Sequence, residues 1–80
     1  MKPVHPGTIL REDVFKQLGL STTRVAKSIG VSRKELSEIV KEVASISPTM
    51  AIRLENCFGI NAEFWLDLQK KYDISKVLKS

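Results

Sequence analysis

The segment from Ser21 to Lys41, STTRVAKSIGVSRKELSEIVK, constrains the fold more than any other part of the chain. Ser21 and Ser32 are favoured helix N-cap residues, and each precedes a stretch in which apolar side chains recur every three or four positions. Gly30 lies between these stretches and can take the positive φ that ends a helix. Glu35, three residues after Ser32, completes a capping box. The segment therefore predicts two short helices joined by a tight turn, the second ending near Lys41.

The apolar residues of this segment predict how the two helices meet. Their inner faces consist of Val25, Ala26 and Ile29 in the first helix and Leu36, Ile39 and Val40 in the second. Ala26 is small, so the second helix can cross the first closely and at a steep angle. This spacing favours a DNA-binding helix-turn-helix. The alternative is a plain helical hairpin with a glycine turn.

The net charge of +4 is unevenly distributed along the 80 residues. Residues 21–41 carry five basic and two acidic side chains, and residues 70–80 carry four basic and one acidic, whereas residues 42–69 are net negative. Basic charge on a helix-turn-helix is the electrostatic pattern of a DNA-binding protein, although a charge cluster alone is more often a solvated face. The charges therefore support DNA binding through the motif.

Length and composition exclude several classes of protein. A chain of 80 residues, 42% of them hydrophobic and 28% charged, is typical of one small globular domain. It has no apolar run near the ~20 residues of a membrane span and no apolar signal-peptide stretch at its start. Its one cysteine cannot form an internal disulfide. We therefore expect a cytoplasmic protein that does not enter a membrane.

Three further helices are predicted around the motif, after an extended start over residues 1–5. The first runs from Pro6 or Gly7 to Gly19, and the last follows Asn61 as its cap. Between them, Ser47 caps a helix that Gly59 ends. The apolar faces comprise Ile9, Leu10, Val14, Phe15 and Leu18, then Met50, Ala51, Leu54 and Phe58, then Phe64, Trp65, Leu68 and Tyr72. With no strand pattern, the chain predicts one all-α domain of five helices.

Four segments together resemble one protein family: HPGTILRE near the start, the helix-turn-helix, ISPTMAIRL, and FGINAEFWLDLQKKYD. They are similar to the HigA family of antitoxins, also called VapI-type regulators, within the Cro/repressor-like (XRE) class. The resemblance covers about Val4 to Ile74. It implies a five-helix Cro/lambda-repressor-like domain that forms a homodimer, binds double-stranded operator DNA and represses its own operon. It also implies that the protein neutralises a RelE-like ribonuclease toxin.

The resemblance implies which side chains contact DNA. In Cro-like domains the residues after the cap of the second helix, here Arg33 and Lys34, face base edges in the major groove, where both can reach guanine. Glu38 either accepts from cytosine N4 or pairs with Lys34 one turn before it. The hydroxyls at the helix N-termini can contact phosphate. The expected DNA-binding set is Thr22, Ser32, Arg33, Lys34, Ser37, Glu38 and Lys41.

The chain departs from this family after the second helix. Relatives usually read N-G-K-R-G before I-S-P, whereas residues 41–45 read KEVAS. Because the glycines and paired basic residues are missing, we expect the second helix to run up to one turn longer and the affinity for phosphate to be lower. This departure supports an alternative function, a protein-interaction module that binds a toxin with weak or lost operator binding.

The C-terminal helix, residues 62–79, is predicted to form the dimer. Phe64, Trp65, Leu68 and Tyr72 offer more apolar area than one short helix needs to close a small core, and Trp and Tyr suit interfaces. The alternative is that all four pack against the first and fourth helices. A two-fold dimer implies a palindromic operator.

No residues suggest catalysis, a metal site or a cofactor. His5 is a lone histidine and is more often a structural hydrogen-bonding group than a catalyst. Cys57 beside Phe58 is predicted to be a buried small apolar side chain. One His and one Cys cannot form the usual structural zinc site, and phosphate-binding glycine motifs are missing from the sequence. We therefore predict that the protein is not an enzyme.

Overall fold

Five helices make up the computed structural model, which describes residues 3–79. They are α1 (residues 6–18), α2 (Thr22–Ile29), α3 (Arg33–Val40), α4 (Pro48–Phe58) and α5 (Ala62–Lys79). No strand occurs within this range, so the predicted all-α fold is confirmed. The predicted extended start at Met1 and Lys2, and the predicted helical or frayed end at Ser80, lie outside the described residues. No helix in residues 3–79 combines the length and hydropathy needed to cross a bilayer.

The predicted serine N-caps and the glycine turn of the helix-turn-helix are confirmed. The Ser21 hydroxyl accepts the Arg24 N–H at 3.1 Å, and the Ser32 hydroxyl accepts the Glu35 N–H at 3.0 Å. Gly30 ends α2 with a φ of 77°, in the left-handed region that only glycine enters readily. These local contacts place α3 directly after the turn.

One hydrophobic core joins all five helices. It contains both predicted inner faces of the motif, with Ala26 only 2% exposed and Leu36 fully buried. The rest of the core is Leu10, Val14, Phe15, Val25, Ile29, Ile39, Val40, Ile46, Met50, Ala51, Leu54 and Trp65. A π-helical segment, Leu10–Phe15, interrupts α1 and was not predicted from the sequence. The motif is thus held from behind by α1 and α4, and α5 packs against both of these helices.

Three predictions about the core and the motif are wrong. Leu18 is 60% exposed because it is the last residue of α1, where Gly19 turns the chain away. Cys57 is exposed, since Met50, Ala51 and Leu54 form the inner face of α4. The recognition helix does not run a turn longer, because α3 ends at Val40 and the next residues form a turn.

The first turn of α1 lies directly on α3. A Cβ atom added at Gly7 would overlap the backbone carbonyl of Ile39. The glycine is therefore required for the close approach of the two backbones. This contact makes α1 the support on which α3 rests.

Candidate nucleic-acid interface

The outer face of α3 carries most of the predicted DNA-binding residues. Five of the seven line one shallow concavity: Arg33, Lys34, Ser37, Glu38 and Lys41. Arg33 and Lys34 are exposed, while Leu36, Ile39 and Val40 point into the core. Because successive α-helical residues rotate by about 100°, burying the second set leaves the first set facing outward together. The apolar spacing in the sequence thus determines which side chains a ligand can reach.

The charge in this concavity is mainly positive. Arg33, Lys34 and Lys41 supply three cations against the single carboxylate of Glu38. The ion pairs found in residues 3–79 do not include Glu38. The predicted alternative in which Glu38 pairs with Lys34 is therefore not what the structure shows, and the carboxylate remains able to accept from a ligand.

The two predicted phosphate-binding hydroxyls lie at helix N-termini rather than in the concavity. Ser32 is exposed and precedes α3, and its hydroxyl oxygen already accepts from Glu35. The hydroxyl hydrogen can still be donated to a phosphate oxygen. Thr22 is the half-buried first residue of α2. N-terminal N–H groups and the helix dipole both favour an anion at such positions.

Two arginines that the sequence analysis did not single out hold the ends of the motif helices. Arg53 of α4 donates from Nη1 to the Ile29 carbonyl at 2.7 Å, at the end of α2. Arg11 of α1 donates from Nη1 to the Val40 carbonyl at 2.6 Å, at the end of α3. A cation at a helix C-terminus is favourable because the free carbonyls carry partial negative charge. Arg11 belongs to HPGTILRE and Arg53 to ISPTMAIRL, two of the segments that carry the family resemblance. That membership was the signal in the sequence by which these arginines could have been found.

His5 is the structural hydrogen-bonding group that the sequence predicted. It is 3% exposed, and its Nδ1 accepts the Gly7 N–H at 2.9 Å, which caps α1. Its ring and the Tyr72 ring are nearly perpendicular, with centroids 4.9 Å apart. Burial lowers the pKa of His5 from its ordinary value of 6.5, against the opposing effect of the Glu42 charge. Within residues 3–79, no cluster of His, Cys, Asp or Glu side chains could hold a metal ion.

Most of the residues of α5 that were predicted to form the dimer surface are buried or partly buried in the monomer. Trp65 is fully buried, so it belongs to the core of the monomer and cannot form a dimer surface as predicted. Leu68 and Tyr72 are partly buried, and only Phe64 of the predicted set is exposed, at 45%. The exposed apolar side chains lie in the last turns of α5: Ile74 (49%), Val77 (74%) and Leu78 (81%). They line two adjoining grooves at the end of the helix.

Comparisons with known proteins agree with this geometry. A family model described as helix-turn-helix matches residues 12–65, more than half of the chain. Virulence-associated protein I of Dichelobacter nodosus is 43% identical over 74 residues, which are 92% of this chain and 68% of that protein. The chain thus spans about two thirds of the length of this relative.

Two solved structures that resemble this chain contain DNA. The first is the Pseudomonas aeruginosa antitoxin HigA with the higBA promoter, at 37% identity and a TM-score of 0.91, covering 95% of this chain and 83% of that one. The second is the antitoxin GraA in complex with its operator, at 39% identity and a TM-score of 0.88, covering 95% and 77%. Both have the fold described above.

Proposed function

The chain belongs to the helix-turn-helix family, in the group that includes HigA antitoxins and VapI-type proteins, and from this membership we propose that it is a sequence-specific DNA-binding repressor. The observation that carries the proposal is the cationic concavity on the outer face of α3, the recognition helix. The similar HigA and GraA structures, which hold promoter and operator DNA, support it.

Each residue of the concavity has a role in this proposal. Arg33 and Lys34, at the N-terminal end of α3, read guanine in the major groove, and Glu38 accepts from cytosine N4. Ser37 contacts a base or phosphate, and Lys41 contacts phosphate. Thr22 and Ser32, at the helix N-termini outside the concavity, contact phosphates of the DNA backbone.

The proposal extends to a toxin partner. HigA and GraA are both named antitoxins, which supports a second role for this chain, the neutralisation of a RelE-like ribonuclease toxin. Repression of its own operon would then link the amounts of the two proteins. Co-expression with the neighbouring open reading frame tests this role, because a toxin would arrest growth only when this chain is absent.

Titration of the promoter DNA upstream of the coding sequence, across a salt series, tests DNA binding. A repressor loses affinity steeply with salt because phosphate contacts release counterions, whereas an interaction module shows no specific, salt-dependent binding. Arg33→Ala and Lys34→Ala should each weaken specific binding by about 1–3 kcal/mol. Because both side chains are exposed, the melting temperature should hardly change.

Lys70→Ala is the matched control for this titration, since it removes the same charge from an exposed position on α5. It should leave the preference for promoter over unrelated DNA unchanged. If Lys70→Ala and Arg33→Ala weakened binding equally, α3 would not be the recognition surface.

A homodimer formed through the last turns of α5 completes the proposal. The exposed apolar side chains there, Val77 and Leu78 above all, would be covered by a second copy, and the two recognition helices would read a palindromic operator. Leu78→Glu should shift the sedimenting species toward the 9.0 kDa monomer. Ile52→Glu, at a 54% exposed position on α4, is the control and should leave the mass unchanged. A parent protein that sediments as a monomer at tens of micromolar contradicts the solution dimer.

A further inference from the structure

The recognition helix ends in a turn that is normally built on glycine. The Glu42 N–H donates to the Ile39 carbonyl at 3.0 Å, and the Val43 N–H donates to the Glu38 carbonyl at 2.8 Å. This pair of hydrogen bonds closes a helix through one left-handed residue, which is usually glycine. Here it is Glu42, with a φ of 65°, the one non-glycine residue in the described range with a positive φ. Residues with a side chain disfavour this conformation because their Cβ crowds the backbone carbonyl. A glutamate retained here at that cost suggests that its side-chain contacts have a functional role.

The Glu42 carboxylate joins the end of α3 to α1. Its Oε2 accepts the hydroxyl hydrogen of Thr8 at 2.7 Å and lies 3.9 Å from Nη2 of Arg11. The same Arg11 donates to the Val40 carbonyl at 2.6 Å. A glycine would satisfy the turn and make none of the side-chain contacts. We call the set of Thr8, Arg11, Val40 and Glu42 the Glu42 clasp.

The clasp lies where α1 and α3 already touch most closely. Gly7, the residue before Thr8, has no room for a Cβ because of the Ile39 carbonyl. The close approach sets the distance between the two backbones at one point along α3. The clasp adds contacts from Thr8 and Arg11 of α1 to Val40 and to Glu42, which lies beyond the end of α3. Because Glu42 is displaced along the chain from Ile39, these contacts resist a rotation of α3 about the close approach.

We propose that Glu42 is a positioning residue for DNA recognition, which holds the angle of α3 against α1 through Thr8 and Arg11. The inference rests on the proposed function, because an angle of α3 matters to affinity only if α3 enters DNA. In a two-fold dimer both recognition helices must fit successive major grooves, about 34 Å apart. A change in the angle between α3 and α1 would then misplace the recognition helix in both protomers.

Glu42→Gly separates positioning from stability. Glycine keeps the left-handed turn and relieves its strain, so the melting temperature should equal or exceed that of the parent. Affinity for promoter DNA should nevertheless fall about 5- to 10-fold, with an unchanged slope against salt because no phosphate contact is removed. Glu42→Gln is the matched variant: its amide oxygen can still accept from Thr8, so it should restore most of the affinity.

Two results with DNA would overturn the proposal. Higher affinity in Glu42→Gly would show that the carboxylate repels phosphate, and a loss of affinity matched by a lower melting temperature would show a merely structural role. Amide residual dipolar couplings of α1 and α3 in the free protein give a readout independent of DNA. They should report a changed interhelical angle in Glu42→Gly and the parent angle in Glu42→Gln; an unchanged angle in Glu42→Gly refutes positioning. If the parent bound no promoter DNA, the proposed function would fail, while the couplings would still decide what Glu42 does.

Discussion

Replacing Gly7 with alanine tests whether α1 supports α3 as closely as the structure shows. The new Cβ would overlap the Ile39 carbonyl, a backbone atom that cannot rotate away. Overpacking typically costs about 1–3 kcal/mol, and a backbone clash belongs at the upper end of that range. Alanine gains about 0.5–1 kcal/mol over glycine within a helix, which leaves a net loss of about 2 kcal/mol. A domain of this size has about 4–12 kcal/mol of stability, so Gly7→Ala should fold with a melting temperature about 10–15 °C lower.

Gly19→Ala is the matched control, because it adds the same methyl group in open space at a φ of 65°. Its cost of about 1–2 kcal/mol comes from the left-handed backbone alone. Thermal unfolding by circular dichroism measures both variants, and promoter binding is measured at a temperature where both are folded. Only Gly7→Ala should lose affinity, since only it displaces α3. A Gly7→Ala protein that melts at or above the parent temperature would refute the close approach of α1 to α3.

Two further predictions concern the core and the cap of α1. Ala26→Leu, at a 2% exposed position, should lower the free energy of unfolding by about 1–3 kcal/mol, and denaturant unfolding with parental stability would place the α2–α3 contact elsewhere. Burial lowers the pKa of His5 in the folded protein below 6.5, so as pH falls the unfolded state binds a proton before the folded state does. Neutral, buried His5 therefore contributes its full share of the folding free energy above pH 6.5. That contribution is lost as pH falls through the folded-state pKa. His5→Asn keeps an acceptor for the Gly7 N–H but does not titrate, so its melting temperature should depend less on pH between about 7 and 5, and an equal dependence would exclude His5.

The sequence predicted the parts of the structure that depend on local rules. Serine caps, glycine turns and apolar spacing are short-range signals, so the helices, the inner faces of α2 and α3 and the outward face of α3 followed from them. Trp65 was misplaced because residue type does not show whether an apolar side chain on α5 closes the core or lies on the surface. The structure bears out the predicted end of α3 near Lys41, but the extra turn that we also expected is absent for a different reason. Glu42 takes a conformation that local preference assigns to glycine, and the contacts that allow it come from α1, 34 residues away along the chain.

The burial of Trp65 makes its fluorescence a probe of the monomer core alone. Trp65 is the one tryptophan of the chain, and it is fully shielded from solvent, with the centroids of its ring and the Phe64 ring 5.3 Å apart. Its emission reports the polarity of the monomer core, so it should shift to longer wavelength only when that core opens. Neither DNA on the outer face of α3 nor a second copy at the end of α5 would touch the indole. A change in tryptophan emission during a DNA titration would therefore report unfolding. Constant emission would show that the measured affinity is that of the folded protein.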